Sequence, residues 1–306
     1  MTTKRDFLTL TDFSIEQHLA LFRRAKELKA ARKARQLVTT MAGRTLVMIF
    51  EKASTRTRLS FEAAMVQLGG SCIDLSAANS QMSRGEPLAD TARVVGRYCD
   101  VVMMRTFGDE RIRELAKYCE APVINGLTDG GHPVQILTDL LTVEERLGRL
   151  KGTTIAFVGD TGSNMGRSFT EGAGLFGYTL KLASPPGYHP ADDVLGLSKG
   201  KGQVQLLDDP KEAVRGADVV VTDVWTSMGQ EAESKKRLAD LGAYQVDAGL
   251  MKLAAPHAIF LHCLPAHRGE EVTADVIDGP QSAAWDEAEN RLHLQKALLE
   301  FVVLGR

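Results

Sequence analysis

The feature that most constrains this chain is a rhythm: short apolar runs alternate with longer stretches of helical periodicity along its whole length. Strands that run parallel need long crossovers, and helices are the usual ones, so the rhythm predicts parallel sheets covered on both faces. In the first half the strand candidates are residues 44–50, 71–75, 101–106 and 122–127. In the second they are residues 153–158, 178–183, 204–207, 217–222 and 258–261. Helix signals fall between them. Ser14-Ile15-Glu16-Gln17 reads as a capping box, with Ile15, Leu19 and Phe22 behind it on one face. Gly69-Gly70 ends the helix after the first strand, Pro87 suits the first turn of another, and Gly148 closes a long one over 132–147. Residues 287–303 form a last amphipathic segment, with Leu292, Leu299 and Val303 available for packing.

A chain of 306 residues suits two domains of ~150 each. The expected architecture is α/β: two doubly wound parallel-sheet domains with an interdomain cleft as the ligand site. The first would span 1–148, with 287–306 packing back on it, and the second 149–286. Helix 132–147 would bridge them. With 44% hydrophobic and 25% charged residues, disordered and fibrous classes drop out. No apolar run approaches the ~18 residues of a membrane span, and the first twelve residues carry no secretion signal. Cys72, Cys99, Cys119 and Cys263 have no CxxC spacing, which argues against structural zinc and for reduced thiols in the cytoplasm. A net charge of −2 recruits neither nucleic acid nor membrane. The basic run from Arg23 to Arg35 reads as the solvated face of a helix.

The chemistry-bearing residues stand at strand ends. Ser54-Thr55-Arg56-Thr57-Arg58 lies where a strand hands over to a helix, whose free N–H groups and dipole favour an oxyanion. Hydroxyls and a forked guanidinium would complete a phosphate cradle. The alternative is an N-capped helix with surface arginines. Arg105 ends the apolar run Val101-Val102-Met103-Met104, at the carboxyl edge where such folds place ligands. His132-Pro133-Val134-Gln135 opens the bridging helix, where a lone histidine would more often be a cap or a surface residue. Together these groups could hold a small dianionic phosphate and a neighbouring carbonyl oxygen.

In the second half, Asp223-Val224-Trp225-Thr226-Ser227-Met228-Gly229 follows a strand end; Asp223 could face a cation, and the Ser-Met-Gly turn reads as a flap. His262-Cys263-Leu264-Pro265 suggests a thiol–histidine dyad, but neighbours on a strand point to opposite faces, which argues against one. The turn Gly159-Asp160-Thr161-Gly162-Ser163-Asn164-Met165-Gly166 fails the dinucleotide fingerprint. Its glycine spacing is wrong, and Ser184-Pro185-Pro186 stands where a ribose-binding acid belongs.

Four of these segments resemble, in order and spacing, the carbamoyltransferases: Phe50-Glu51-Lys52-Ala53 through Arg58, His132 to Gln135, Asp223 to Gly229, and His262 to Pro265. The Ser-Met-Gly and His-Cys-Leu-Pro segments resemble the ornithine branch of that family, not the aspartate branch. The resemblance implies transfer of the carbamoyl group of carbamoyl phosphate to the δ-amine of ornithine, giving citrulline and phosphate. It makes the first domain the carbamoyl phosphate domain and the second the ornithine domain. Ser54, Thr55, Arg56 and Thr57 would hold the phosphate, and Arg105, His132 and Gln135 the carbonyl and carbamoyl ends. Cys263 and Leu264 would reach the carbamoyl amine, and Arg291 would close the site. Asn164, Asp223, Ser227 and Met228 would grip the acceptor's α-groups. Of these, Arg105, His132, Asp223 and Cys263 would carry catalysis. Gln81 matches a residue lent by a neighbouring subunit of a homotrimer.

Two positions depart from the family pattern: Ser163 stands where an asparagine is common, and Ser83 where a glycine is. The resemblance implies no metal or organic cofactor, and a cytoplasmic enzyme of arginine metabolism. The competing readings are a sister carbamoyltransferase with another amine acceptor, a nicotinamide-dependent oxidoreductase, and a non-catalytic binding protein on the same fold.

Overall fold

The structure, a computed structural model, describes residues 4–76, 80–198, 202–226 and 231–305. The chain divides into two compact units, Met1–Leu137 with Asn290–Arg306, and Thr138–Glu289.

The first unit carries α1 (Ile15–Lys33), β1 (Thr45–Phe50), α2 (Thr55–Gln67), β2 (Ser71–Ser76), α3 (Leu88–Val95), β3 (Val101–Arg105), α4 (Asp109–Tyr118) and β4 (Val123–Leu127). It also holds the start of α5 (Pro133–Leu147). Its four strands are all parallel, in the order β2-β1-β3-β4. The inner strands β1 and β3, and the edge strand β4, whose outer side pairs with Phe7, are buried along nearly every residue, as strands with both faces covered demand. The edge strand β2, Ser-Cys-Ile-Asp-Leu-Ser, is the exposed one. On one face, Val47, Ile49, Val102 and Met104 pack against Leu88, Ala92 and Val95 of α3 and Ile112 and Leu115 of α4. The capping box of Ser14 and Gln17 starts α1 as its spacing requires.

The second unit carries the rest of α5, then β5 (Thr154–Val158), α6 (Asn164–Phe176), β6 (Thr179–Ala183), α7 (Asp192–Leu195), β7 (Gln203–Leu207), α8 (Pro210–Val214) and β8 (Val219–Val221). After these come α9 (Ser234–Leu241), α10 (Ala248–Met251), β9 (Ile259–Leu261), α11 (Ala274–Ile277) and the start of α12 (Ala284–Leu304). Its parallel sheet runs β7-β6-β5-β8-β9. The strand expected over 217–222 is regular over Val219–Val221; Asp218 still pairs, its N–H donating to the Thr154 carbonyl at 2.9 Å while its carboxylate accepts the Thr154 N–H at 2.8 Å.

Each sheet has one point where successive strands reverse their direction of growth: between β1 and β3 in the first, and between β5 and β8 in the second. Open parallel sheets bind ligands beyond the carboxyl ends of such a pair.

Two expectations about helices are corrected. The last helix is not simply amphipathic. Asn290, Arg291, His293, Gln295, Lys296 and Glu300 are all buried, as are Leu294, Leu298 and Leu299. Nor is the basic run of α1 only a solvated face. Arg24 donates to Glu300 through Nε at 2.6 Å and Nη2 at 3.0 Å, and Lys29 donates to Asn290 at 2.7 Å. Buried polar groups require partners, and α1 supplies them for Glu300 and Asn290, while Gln67 of α2 accepts from Lys296 at 2.6 Å. Among the described residues no helix is long and apolar enough to cross a membrane.

Candidate active site

In the first unit the β1–β3 switch point gathers the residues singled out above. β1 stops at Phe50, and Ser54 caps α2 by accepting the Thr57 N–H at 3.3 Å. Thr55 and Arg56, in the first turn, are exposed, whereas Thr57 is buried. Arg105 sits opposite Phe50 in the ladder as the last residue of β3. After β4, His132 precedes α5, and its carbonyl accepts the N–H groups of Gln135 and Ile136 at 3.0 and 3.1 Å. Arg291 of α12 ties the group together. It donates to Thr57 Oγ1 at 3.0 Å and, in a shorter contact, to Gln135 Oε1. These three side chains are each at most 4% exposed. The imidazole of His132 is pushed well below its ordinary pKa, first by burial and then by the guanidinium charges of Arg291 and Arg105. It is therefore neutral at physiological pH, able to donate a hydrogen bond without adding charge. Gln81 stands apart, exposed, at the start of a short turn capped by Ser80.

In the second unit three segments meet at the β5–β8 switch point. Asn164 is the first residue of α6, and Ser163 caps that helix by accepting the Gly166 N–H at 3.3 Å. Gly166 belongs to the helix for a packing reason: a Cβ there would lie 2.0 Å from the Thr161 carbonyl oxygen. Asp223 follows β8, and the Cys263 thiol donates to its Oδ1 at 3.1 Å. Burial raises the Asp223 carboxyl above the usual range, opposed by the Cys263 contact and the Val224 N–H. The Cys263 thiol is raised far above its usual value by burial and by the Asp223 charge. Leu264 adopts a left-handed φ of 61°, and its bond to Pro265 is cis. Ser227 and Met228 lie outside the described residues.

His262 and Cys263 form no dyad, but strand alternation is not the reason, because β9 ends at Leu261. The imidazole Nδ1 accepts the Leu264 N–H at 2.9 Å, so Nε2 carries the proton and donates to Glu271 at 3.0 Å. Both ring nitrogens are thus committed, and the thiol's partner is a carboxylate. The same commitments bear on metal binding. Donor atoms of Asp223, His262 and Cys263 lie within 4.8 Å of one another, yet both ring nitrogens of His262 are taken up by these hydrogen bonds, which leaves no lone pair free for an ion.

Some contributors carry no signal in the sequence alone. Arg237 of α9, 7% exposed, donates from Nη1 to Asp160 at 2.7 Å and to the Trp225 carbonyl at 3.0 Å. It thereby joins the turn before Asn164 to the loop after Asp223.

The sequence matches two family profiles. Residues 5–145 match the carbamoyl-P binding domain of aspartate/ornithine carbamoyltransferases, and residues 151–302 match their Asp/Orn binding domain. The chain belongs to the aspartate/ornithine carbamoyltransferase family. Relatives within it include the ornithine carbamoyltransferase of Halorhodospira halophila, 53% identical over 98% of this chain and 99% of that one. The ornithine carbamoyltransferase of Nitrosococcus oceani is 52% identical over 98% of this chain and 97% of its own length. Among solved structures, the ornithine carbamoyltransferase of Pyrococcus furiosus superposes with a TM-score of 0.94 at 46% identity, covering 99% of this chain and 98% of that one. The Campylobacter jejuni enzyme, described as an anabolic ornithine carbamoyltransferase, gives 0.91 at 40% identity, over 99% of this chain and 100% of that one. The carbamoyltransferase fold therefore accounts for both sheets and for both switch points.

Proposed function

We propose that the chain transfers the carbamoyl group of carbamoyl phosphate to the δ-amine of L-ornithine, releasing L-citrulline and phosphate. The observation that carries this reading is the buried set Arg291, Thr57 and Gln135 with neutral His132 beside it, at the strand end where Arg105 also emerges. We assign residues 1–148 with 287–306 to carbamoyl phosphate and residues 149–286 to ornithine. Ser54, Thr55, Arg56 and Thr57 hold the phosphate; Arg105, His132 and Gln135 hold the carbamoyl end. Cys263 and Leu264 serve the carbamoyl amine, and Arg291 closes the site. Asn164, Asp223, Ser227 and Met228 take the α-groups of ornithine.

The amine must be neutral to attack. Its pKa resembles that of lysine, ~10.4, so about one molecule in a thousand is neutral near pH 7.4. As the N–C bond forms, the carbonyl oxygen gains negative charge, which Arg105, His132 and Thr57 stabilise. The C–O bond to phosphate then breaks, and phosphate leaves with that electron pair and accepts the amine proton. Phosphate is a good leaving group and no atom changes oxidation state, so the step calls for no metal or organic cofactor.

A homotrimer in the cytoplasm, with Gln81 lent to a neighbouring subunit, and a role in arginine metabolism complete the proposal. The second reading is a sister enzyme using another amine. A product assay with carbamoyl phosphate and a panel of amines decides between them: we expect citrulline from ornithine and little product from aspartate. Strong carbamoylation of aspartate with none of ornithine overturns the assignment.

A further inference from the structure

Around the β1–β3 switch point lies a set of contacts that the carbamoyl-transfer reading leaves unassigned. Glu51, the residue after β1, is its centre. Its carboxylate accepts from Arg111 Nε at 2.9 Å, and in shorter contacts from Arg111 Nη2 and the Thr106 hydroxyl. Its own N–H donates to the Arg105 carbonyl at 2.9 Å. The Glu51 side chain is only 11% exposed, although its partner Arg111 keeps 39% of its side chain in solvent. Thr106 is the residue after Arg105, and Arg111 lies on α4. One carboxylate therefore joins the exit of β1, the exit of β3 and the helix that follows it.

A second observation concerns the same residue. β3 and β4 pair in step from Val102↔Val123 to Met104↔Asn125, after which Arg105 pairs with Leu127. Gly126 is thus an extra residue on β4, a bulge that breaks the ladder beside Arg105. Only glycine fits there without rearrangement, because a Cβ would come within 2.4 Å of Met103 Sδ and 3.1 Å of the Met104 carbonyl oxygen. On the β1 side the register continues unbroken to Phe50↔Arg105, and there Glu51 takes hold.

We propose that Glu51 is a positioning residue for Arg105: with the Gly126 bulge it sets the direction in which the guanidinium leaves the sheet, and so its grip on the phosphorylated donor. The inference rests on the reading of Arg105 as a carbamoyl phosphate contact. It differs from a merely structural role, in which Glu51 would anchor α4 whatever residue stood at 105. An anchoring role predicts effects independent of Arg105. Positioning predicts effects that pass through it.

The test is a double-mutant cycle on the full chain, read as the carbamoyl phosphate dissociation constant by calorimetry and as turnover. Glu51→Gln should weaken donor binding about 10-fold, a moderate loss for a displaced but intact contact. Arg105→Lys, which cannot form the fork, should weaken it about 10²-fold. The double variant should be no worse than Arg105→Lys, because no fork remains to be aimed. A roughly 10³-fold loss in the double variant, or wild-type affinity in Glu51→Gln, overturns the proposal. If Glu51→Gln does not fold, Thr106→Val removes one donor to the same carboxylate without leaving a charge unpaired. It should weaken binding about threefold, and that loss should vanish in the Arg105→Lys background; a persistent or absent loss overturns the proposal. Failure of the underlying reading looks different: Arg105→Lys would then bind carbamoyl phosphate as tightly as wild type.

Discussion

Asp223 and Cys263 share one hydrogen bond, and burial pushes both toward their neutral forms. The consequence for Asp223 depends on sign. A carboxyl with a raised pKa is uncharged below that value and so cannot hold the α-ammonium of ornithine there. Ornithine affinity should rise about tenfold per pH unit up to that pKa and level off above it. Calorimetry across the acid range checks this, and Asp223→Asn should bind weakly with no such slope. A flat profile in wild type would remove Asp223 from the acceptor site. Arg56 and Arg105 give a second residue-level expectation. Each supplies a charge-assisted contact to a dianion or oxyanion, so each alanine variant should lose at least ~10² in turnover. Arg56 is exposed and Arg105 ends a strand, so circular dichroism should report folded proteins in both cases. Wild-type turnover in either would misplace the phosphate site.

Among the elements, α6 shows what the departure at Ser163 means. Ser163 is the N-cap of the helix that begins with Asn164, and its hydroxyl accepts the Gly166 N–H. Serine and asparagine cap about equally well, whereas alanine forfeits ~1 kcal/mol. Ser163→Asn should therefore melt with wild type, and Ser163→Ala should lose about 1 kcal/mol in denaturant titrations. Equal stability of all three variants would show that the cap carries no weight. The strands were legible from their apolar runs, since a strand buried on both faces needs no other code. Their ends were less so. A side chain such as Asp218 can take a backbone N–H of the neighbouring strand at the margin of the ladder, and nothing in its immediate neighbours announces that.

On the scale of the whole molecule, the proposal of a trimer with shared sites makes a test of its own. A cyclic trimer has heterologous interfaces, so each site would combine Arg105 of one subunit with Gln81 of the next. Arg105→Ala and Gln81→Ala trimers, dissociated and reassembled together, should recover activity. With random mixing, about a quarter of all sites then join two intact residues. Native mass spectrometry confirms exchange; activity that stays at the mean of the two parents would rule out the shared site.

What the sequence by itself determined is whatever depends on near neighbours. The apolar runs and their spacing specify two parallel sheets, Ser14 and Gln17 specify where α1 starts, and Ser54 to Arg58 mark a strand-to-helix junction suited to an anion. The tertiary structure alone decided which distant side chains meet. Arg291 reaches Thr57 across 234 positions and Gln135 across 156, and Arg111 reaches Glu51 across 60. It also decided protonation: His132 is neutral and the Asp223 carboxyl is raised because packing removes water from them. Pattern and capping are encoded within a few residues, whereas desolvation and charge pairing depend on what the folded chain brings alongside.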